Sequence, residues 1–440
     1  MNFSTFDLHP QLVAALTDCG YVTPTPIQQQ AIGPLKAGRD LLGLAQTGTG
    51  KTAAFVLPLL HRLLDGPRRQ VRALILAPTR ELAEQIHGYI GKLAAGTDLA
   101  SVVVYGGVSK NNQIRALQKG VEIVVACPGR LLDLMNDRAV RLDRLEILVL
   151  DEADHMFDKG FLPDIRRILR ALPAKRQNMI FSATMPAEIR HLAENILTEP
   201  VTVQIDHTKP AATISHVLYR VEQKDKTALL RNLLQQGGEA TTLVFTRTKH
   251  KAKNLAVQLQ REGFKAVALQ GNLSQAKRQQ AMDGFRDGTF SILVATDIAA
   301  RGIDVSGIAH VINYDVPDTA ETYTHRTGRT GRASRSGEAC TFATAEDHRM
   351  IVLIERGLGR KMAVGGVTLA AAPVLPEMPV ARPLRRPEPG NREQAGNRGR
   401  RRPAPAAAER GQTVAPRPAR RSEGRRAASF DFGLREKGGK

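Results

Sequence analysis

Cysteine is scarce in this 440-residue chain: Cys19, Cys127 and Cys340 are odd in number, far apart, and lack the C-x-x-C spacing of zinc or dithiol sites. A disulfide framework is thereby excluded, and the thiols are expected to be reduced and incidental. No apolar run reaches the length of a membrane span, and the start Met1-Asn2-Phe3-Ser4-Thr5-Phe6-Asp7 lacks the basic and apolar regions of a secretion signal. A cytoplasmic protein without membrane contact is expected. Acidic residues are also in deficit, with 43 Asp and Glu against 63 Lys and Arg and a net charge of +20. Such an excess calls for a polyanionic partner, and nucleic acid comes ahead of anionic membrane because no basic amphipathic anchor is present.

The positive charge is concentrated at one end. Residues 381–440 hold 17 Lys or Arg against 6 Asp or Glu, so +11 of the total lies there. From about Gly365 the chain turns to Pro, Ala, Gly and Arg, which bury too little apolar surface to offset chain entropy, so 365–440 is expected to be a disordered basic tail. It contains no aromatic RNP-type strand that would mark a folded RNA-recognition module. The length predicts two or three domains. Residues 1–206 alternate strand-like apolar runs with helical patterns, as βαβ units around a parallel sheet do. The strand candidates are 41–44, 73–77, 101–105, 122–126, 145–150 and 178–181. After a short linker at 207–213, a second α/β series occupies 214–364, with strand candidates at 242–245, 266–269, 292–295 and 310–314.

The run Ala45-Gln46-Thr47-Gly48-Thr49-Gly50-Lys51-Thr52 follows the apolar stretch Leu41-Leu42-Gly43-Leu44 and precedes a helical pattern. A triphosphate is a dense negative charge, held by backbone N–H groups, a lysine and a metal ion. Gly48 and Gly50 let the backbone wrap round phosphate oxygens, Lys51 meets the β and γ phosphates, and Thr52 places its hydroxyl on Mg²⁺. Ala45 stands where the general pattern G-x-x-x-x-G-K-[ST] has its first glycine, so this half alone is also compatible with an ordinary glycine-rich turn. The second half is Asp151-Glu152-Ala153-Asp154, after the apolar run 145–150. Asp151 would hold the same Mg²⁺ and Glu152 would be free to polarise water. The second series has no such loop, so the two domains share one nucleotide.

These stretches resemble the DEAD-box ATP-dependent RNA helicases of superfamily 2 over roughly Phe3 to Ile354. The resemblance implies two RecA-like parallel-sheet domains with ATP between them. Gly20-Tyr21-Val22-Thr23-Pro24-Thr25-Pro26-Ile27-Gln28 is similar to the family's adenine-reading Q motif, placed within residues 1–29, with Phe3 as its upstream aromatic. Gln28 would donate to and accept from adenine's edge. Thr79 and Arg80 in Pro78-Thr79-Arg80-Glu81-Leu82, then Gly106-Gly107 and Pro128-Gly129-Arg130, match first-lobe RNA contacts; Gln275, Arg278 and Thr296 match second-lobe ones. Contacts of this kind reach phosphate and sugar without reading bases. Cys127 stands where the family usually has threonine, and Gln270 where it usually has histidine. Ser182-Ala183-Thr184 resembles the coupling motif, with Asp154 and His325 as its associates. Ala295-Thr296-Asp297 to Ala300-Arg301-Gly302-Ile303-Asp304 and His325-Arg326-Thr327-Gly328-Arg329-Thr330-Gly331-Arg332 resemble second-lobe motifs that close over ATP. By that resemblance Gly302 and Asp304 would line the nucleotide, Asp304 on the ribose, and Arg329 and Arg332 would be arginine fingers.

The resemblance implies a monomeric ATPase that separates short RNA duplexes when its lobes close, and the short basic tail is similar to the bacterial RhlE-like branch. Ribosomal or RNA-decay proteins are compatible partners. Two other classes stay open at this point: a nucleic-acid chaperone whose tail does the work, and a DNA-directed motor of the same superfamily. For the tail the expected role is a sequence-independent electrostatic tether. Deleting 381–440 is expected to weaken RNA binding and flatten its salt dependence while ATP affinity stays intact. Binding titrations across a salt series check this, and unchanged RNA affinity at low salt would remove the tether.

Overall fold

The computed structural model describes residues 2–46, 48–205, 214–300, 305, 307–331 and 336–366. The linker at 207–213, Thr47, Gly302, Asp304, Arg332 and residues 367–440, named above, lie outside the described residues. The first sheet contains β1 (Leu41–Leu44), β2 (Ala73–Leu76), β3 (Ser101–Val104), β4 (Ile123–Ala126), β5 (Ile147–Leu150), β6 (Gln177–Ser182) and β7 (Val201–Gln204). The second contains β8 (Ile214–Arg220), β9 (Thr242–Phe245), β10 (Ala266–Leu269), β11 (Ile292–Ala295), β12 (His310–Asn313), β13 (Gly337–Ala343) and β14 (Ala363–Val364). Their orders are β3-β4-β2-β5-β6-β1-β7 and β10-β11-β9-β12-β13-β8-β14, the same winding repeated. Neighbouring strands run parallel throughout both sheets.

Parallel strands need helical crossovers, and the helices cover both faces. That is why β2, β4, β5, β9 and β11 are short continuous apolar runs with every residue buried. In the first lobe, Leu12, Ile32, Phe55 and Ile86 pack one face of the sheet, while Leu131, Met156, Ile168 and Leu192 pack the other. The second lobe divides its core in the same way, with Leu230 and Leu259 on one side and Met282 and Phe285 on the other. Among the described residues no helix is long and apolar enough to cross a membrane.

Strand ends differ from the expected ones by one or two residues: Glu122, Leu145, Tyr105 and Tyr314 fall just outside the ladders. Strands β7, β8, β13 and β14 were not among the candidates, although the second series was placed from near Ile214. β7 alternates and is largely exposed, β13 mixes Glu338 and Thr341 into its run, and β14 is two residues long. Gly365, where the tail was expected to begin, still donates its N–H to Leu218 O at 2.9 Å, prolonging the β14–β8 pairing.

Buried polar anchors hold the strand that leads to the phosphate loop. Asp40, just before β1, accepts from Asn178 N–H at 2.8 Å, from Asn178 Nδ2 at 3.3 Å and from Thr198 N–H at 2.8 Å. Arg72 pairs with Glu146 at 2.6 Å and donates to Leu63 O at 2.9 Å, and so braces the C-terminal end of the Lys51–Leu64 helix. Gly43 faces the Phe181 ring closely enough that a Cβ there would lie 2.5 Å from Phe181 Cδ1. Phe181 in turn stacks at 5.3 Å on Phe55, in the helix that follows the phosphate loop. Gly43→Ala is therefore expected to destabilise the first lobe by about 1–3 kcal/mol through overpacking, read as a lowered denaturation midpoint.

Candidate active site

The carboxyl ends of parallel strands expose backbone groups and feed helix N-termini, so ligands collect there. β1 ends in the loop of residues 45–50, β5 in Asp151-Glu152, and β6 in Ser182-Ala183-Thr184. Gly48 and Gly50 have φ of +84° and +92°, a conformation that side chains resist. A Cβ on Gly50 would also meet Gln28 Nε2 at 2.4 Å. Lys51 begins the helix, and its Nζ donates to Ala45 O at 2.7 Å, across the loop. The ammonium is thus placed at the loop and held by the loop's own carbonyl. Thr49 Oγ1 donates to Gln46 O at 2.8 Å.

Gln28 is buried, and both ends of its amide are engaged: Nε2 donates to Gly50 O at 3.1 Å and Oε1 accepts from Thr25 N–H at 2.9 Å. It therefore ties the Q-motif helix to the phosphate loop. Phe3 is likewise buried, edge-on to Tyr21 and Phe6 with centroids 6.1 Å apart in each pair. Its ring packs on Tyr21, in the loop that leads into the helix carrying Gln28.

Asp151 is buried at the end of β5, and among the described residues its carboxylate accepts one hydrogen bond, from Glu152 N–H at 3.0 Å. Burial raises its pKa to about 7 against the opposing charge of Lys51. An under-satisfied buried carboxylate fits a cation. Among the described residues no group of three or more His, Cys, Asp or Glu could hold a metal alone. The donor set suits Mg²⁺, which takes one or two protein oxygens and completes its shell with phosphate and water.

Glu152 is not free, as the sequence implied. Its backbone is left-handed, φ 49° and ψ 55°, and its Oε2 lies 3.2 Å from His155 Nδ1. Burial by itself would raise the carboxyl's pKa, but the His155 hydrogen bond, with Lys51 and Arg329 nearby, brings it down to about 2. Asp154 is the most heavily bonded of the group. Its Oδ2 accepts from Ala183 N–H at 3.1 Å, Thr184 N–H at 2.8 Å and Thr184 Oγ1 at 3.0 Å, while its own N–H donates to Ser182 Oγ at 3.2 Å.

The second lobe completes the enclosure. His325 and Arg329 line a cavity of about 20 Å³ together with Lys51, Glu152, Asp154 and His155, enough for one water molecule. Arg329 Nε donates to His325 O at 3.2 Å. Arg326, three residues earlier, does different work. It forks onto Asp297 at 2.5 and 2.7 Å, donates to Asn313 Oδ1 at 3.0 Å and Asp315 O at 2.7 Å, and lies 5.0 Å from the Phe245 ring centroid. Arg326 is an internal anchor of the second lobe and does not reach toward phosphate, although the sequence alone grouped it with its neighbours.

The DEAD/DEAH box helicase family model matches residues 25–192, and the helicase conserved C-terminal domain matches residues 225–334. The chain is 43% identical over 362 residues to the ATP-dependent RNA helicase CshA of Listeria monocytogenes, across 82% of this chain and 69% of that one. The chain belongs to the DEAD-box helicases. It is also 43% identical over 365 residues to the RNA helicase CrhR of Synechocystis, covering 82% of this chain and 74% of the relative. Among solved structures it is similar to S. cerevisiae Dbp5 bound to RNA and ADP BeF3, with TM-score 0.75 and 31% identity, over 83% of this chain and 95% of Dbp5's. The RhlE-like assignment rests on the tail's composition alone, and the tail lies outside the described residues.

In this DEAD-box chain the expected RNA-facing residues of the first lobe follow β2, β3 and β4, on the far side of β5 and β6 from the loop after β1, and several have their polar atoms committed. Thr79 caps the Arg80–Leu93 helix, its buried hydroxyl accepting from Leu82 N–H at 3.1 Å. Arg80 lies over Gly107, where a Cβ would be 2.4 Å from its Nη1, so the glycine is needed to seat the guanidinium. Arg130 donates to Gln113 Oε1 at 3.0 Å. Gly129 is exposed at the first turn of the Pro128–Asn136 helix, whose N-cap, Cys127, makes no side-chain cap bond. Thr296 is half-buried beyond β11, and Gln270 is buried with its Oε1 accepting from Asn272 N–H at 2.7 Å.

Gln275 and Arg278 face the first lobe and not open solvent. Arg278 Nε meets Glu81 Oε1 at 2.7 Å with both side chains about nine-tenths buried, and Gln275 Oε1 is 3.5 Å from Arg80 Nη1. The same two helix starts that were expected to touch RNA thus touch each other. A double-mutant cycle on Glu81→Ala and Arg278→Ala is expected to give a coupling of about 0.5–3 kcal/mol in the lobe-closure equilibrium, followed by inter-lobe fluorescence transfer with ATP and RNA. Strictly additive losses would show that the pair does not hold the lobes together.

Proposed function

We infer that the chain is an ATP-dependent RNA helicase whose ATP hydrolysis is stimulated by RNA, and that it separates short duplexes by closing its two lobes on one strand. The observation that carries this reading is the shared enclosure: Lys51, Glu152 and Asp154 from the first lobe meet His325 and Arg329 from the second. A site of this design is complete only when the lobes are together, so anything that favours closure favours hydrolysis.

Within it, Lys51 exchanges the Ala45 carbonyl for phosphate oxygens, and Arg329, with Arg332, meets the charge that develops on the transferred phosphoryl group. Thr52 and Asp151 would hold Mg²⁺, which would supply positive charge to offset that of the phosphates. Glu152, kept ionised beside His155, accepts a hydrogen bond from the attacking water and orients it in line. Gln28 and Phe3 set the phosphate loop's position from the Q-motif side. Arg80, Gly107, Gly129 and Arg130 lie on the strand exits that would follow an RNA backbone, with Gln275 and Arg278 closing over it from the second lobe. A monomer acting in the cytoplasm fits this arrangement.

Glu152→Gln keeps the volume and removes the charge that orients water. It is expected to lower RNA-stimulated ATP turnover by about 100-fold or more while ATP and RNA still bind. Steady-state ATPase and strand-displacement assays check this, and unwinding that persists unchanged without turnover would favour a passive RNA chaperone. Equal ATPase stimulation by duplex DNA and RNA at matched salt would move the assignment to a DNA-directed motor.

A further inference from the structure

We propose that His155 is a positioning residue for hydrolysis, holding one oxygen of the Glu152 carboxylate so that the other is aimed at the attacking water. The inference rests on Glu152 being the group that orients that water. Among the described residues, the one hydrogen bond made by the Glu152 carboxylate is the 3.2 Å contact from its Oε2 to His155 Nδ1. A carboxylate only accepts, so Nδ1 carries the proton and donates. Glu152 also has a left-handed backbone that a side-chain-bearing residue keeps only when its surroundings enforce it. Its direction therefore depends on this partner.

His155 is itself well placed to act as a fixed point. It lies one helical turn after Glu152 and is 6% exposed, and its backbone N–H donates to Asp154 Oδ1 at 2.9 Å. Asp154 is tied by its other oxygen to Ala183 and Thr184 at the exit of β6. His155 thus links the β6 exit, through its backbone N–H and Asp154, to the carboxylate that its imidazole holds, beside the one-water cavity that His325 and Arg329 also line. A rigid link of this length turns sub-ångström placement into rate, since in-line attack is sensitive to the direction of the acceptor.

The test measures RNA-stimulated kcat and KM for ATP in His155→Ala, His155→Asn and His155→Gln, each alone and with Glu152→Gln. His155→Ala is expected to lower kcat by about tenfold with KM within about twofold, the size expected for losing a charge-assisted hydrogen bond. His155→Asn, whose amide nitrogen falls near the position of Nδ1, is expected to recover at least half of the lost rate, and the longer His155→Gln to recover less. In the Glu152→Gln background, His155→Ala is expected to add no further loss, because the histidine acts through the carboxylate. A kcat for His155→Ala within twofold of the native protein overturns the proposal, and so does an equal loss in both backgrounds. If His155→Ala melts below the assay temperature, the Asn and Gln variants decide the matter: equal activity in the two overturns it. Full turnover in Glu152→Gln alone would instead remove the water-orienting role of Glu152, a distinct result.

Discussion

The carboxylate of Asp154 accepts four hydrogen bonds, three of them from the β6 exit and one from His155 N–H. This satisfaction of a buried charge ties the short helix after β5 to the neighbouring strand end, and everything that converges on the phosphate depends on it. Asp151 and Glu152 precede that helix, Ser182 Oγ accepts the Asp154 N–H, and the Ala45 N–H that opens the phosphate loop donates to Ser182 O at 3.0 Å. Removing the Asp154 carboxylate would leave several donors without acceptors, a cost that falls on the loop after β1 and on Asp151 and Glu152 together. The loop after β1, the helix after β5 and the exit of β6 are therefore joined by direct contact.

A second coupling runs between lobes. The Arg80–Leu93 helix presents Arg80 and Glu81 at its first turn, and both meet the start of the Gln275–Arg286 helix. Those four side chains form an interface between the lobes, and under the proposed function Arg80, Gln275 and Arg278 also lie on the RNA path. A ligand laid across them changes the interface, and a closed interface changes how they meet the ligand, so RNA affinity and closure must be thermodynamically linked. The buried Arg278–Glu81 pair supplies register more than raw stability, because desolvating two charges consumes much of what their attraction returns.

How much of this was legible in the sequence follows from which forces are local. Runs such as Ala73–Leu76 and Ile147–Leu150 are strands because both sheet faces are covered, and such runs are visible without coordinates. β7 and β13 were not, since an exposed edge and a polar-interrupted strand carry no continuous apolar signal. The nucleotide residues were found as residue types in order, whereas their partners were not. Arg326 and Arg329 lie three apart in one arginine-rich run, yet Asp297, Asn313 and the Asp315 carbonyl, all distant in sequence, make the first an anchor. His155 was passed over for the same reason in reverse: an i, i+3 spacing from Glu152 was present, but only the left-handed turn at Glu152 shows that the two side chains meet. Gln28 was assigned to the base by resemblance, and the fold shows what its amide does inside the protein.

The repeated winding explains why two lobes share one nucleotide. Lys226 begins the helix after β8 as Lys51 begins the one after β1, and Tyr314-Asp315 follows β12 as Asp151-Glu152 follows β5. The intervening loop, Val221-Glu222-Gln223-Lys224-Asp225, contains no glycine and no left-handed residue, so it forms no cradle. Lys226 is instead fully committed, donating to Tyr314 O at 3.0 Å and lying 3.9 Å from Asp315, which also takes Lys251 at 2.9 Å and Arg247 N–H at 2.9 Å. Asp315 O in turn accepts from Arg326, the residue that fixes the end of the Ala320–Thr327 helix just before Arg329. The place that holds phosphate in the first lobe has become, in the second, the internal fastening of the arm that presents Arg329. A glycine loop rebuilt there would loosen that arm, so a second glycine loop and a firmly held Arg329 are alternatives within this fold.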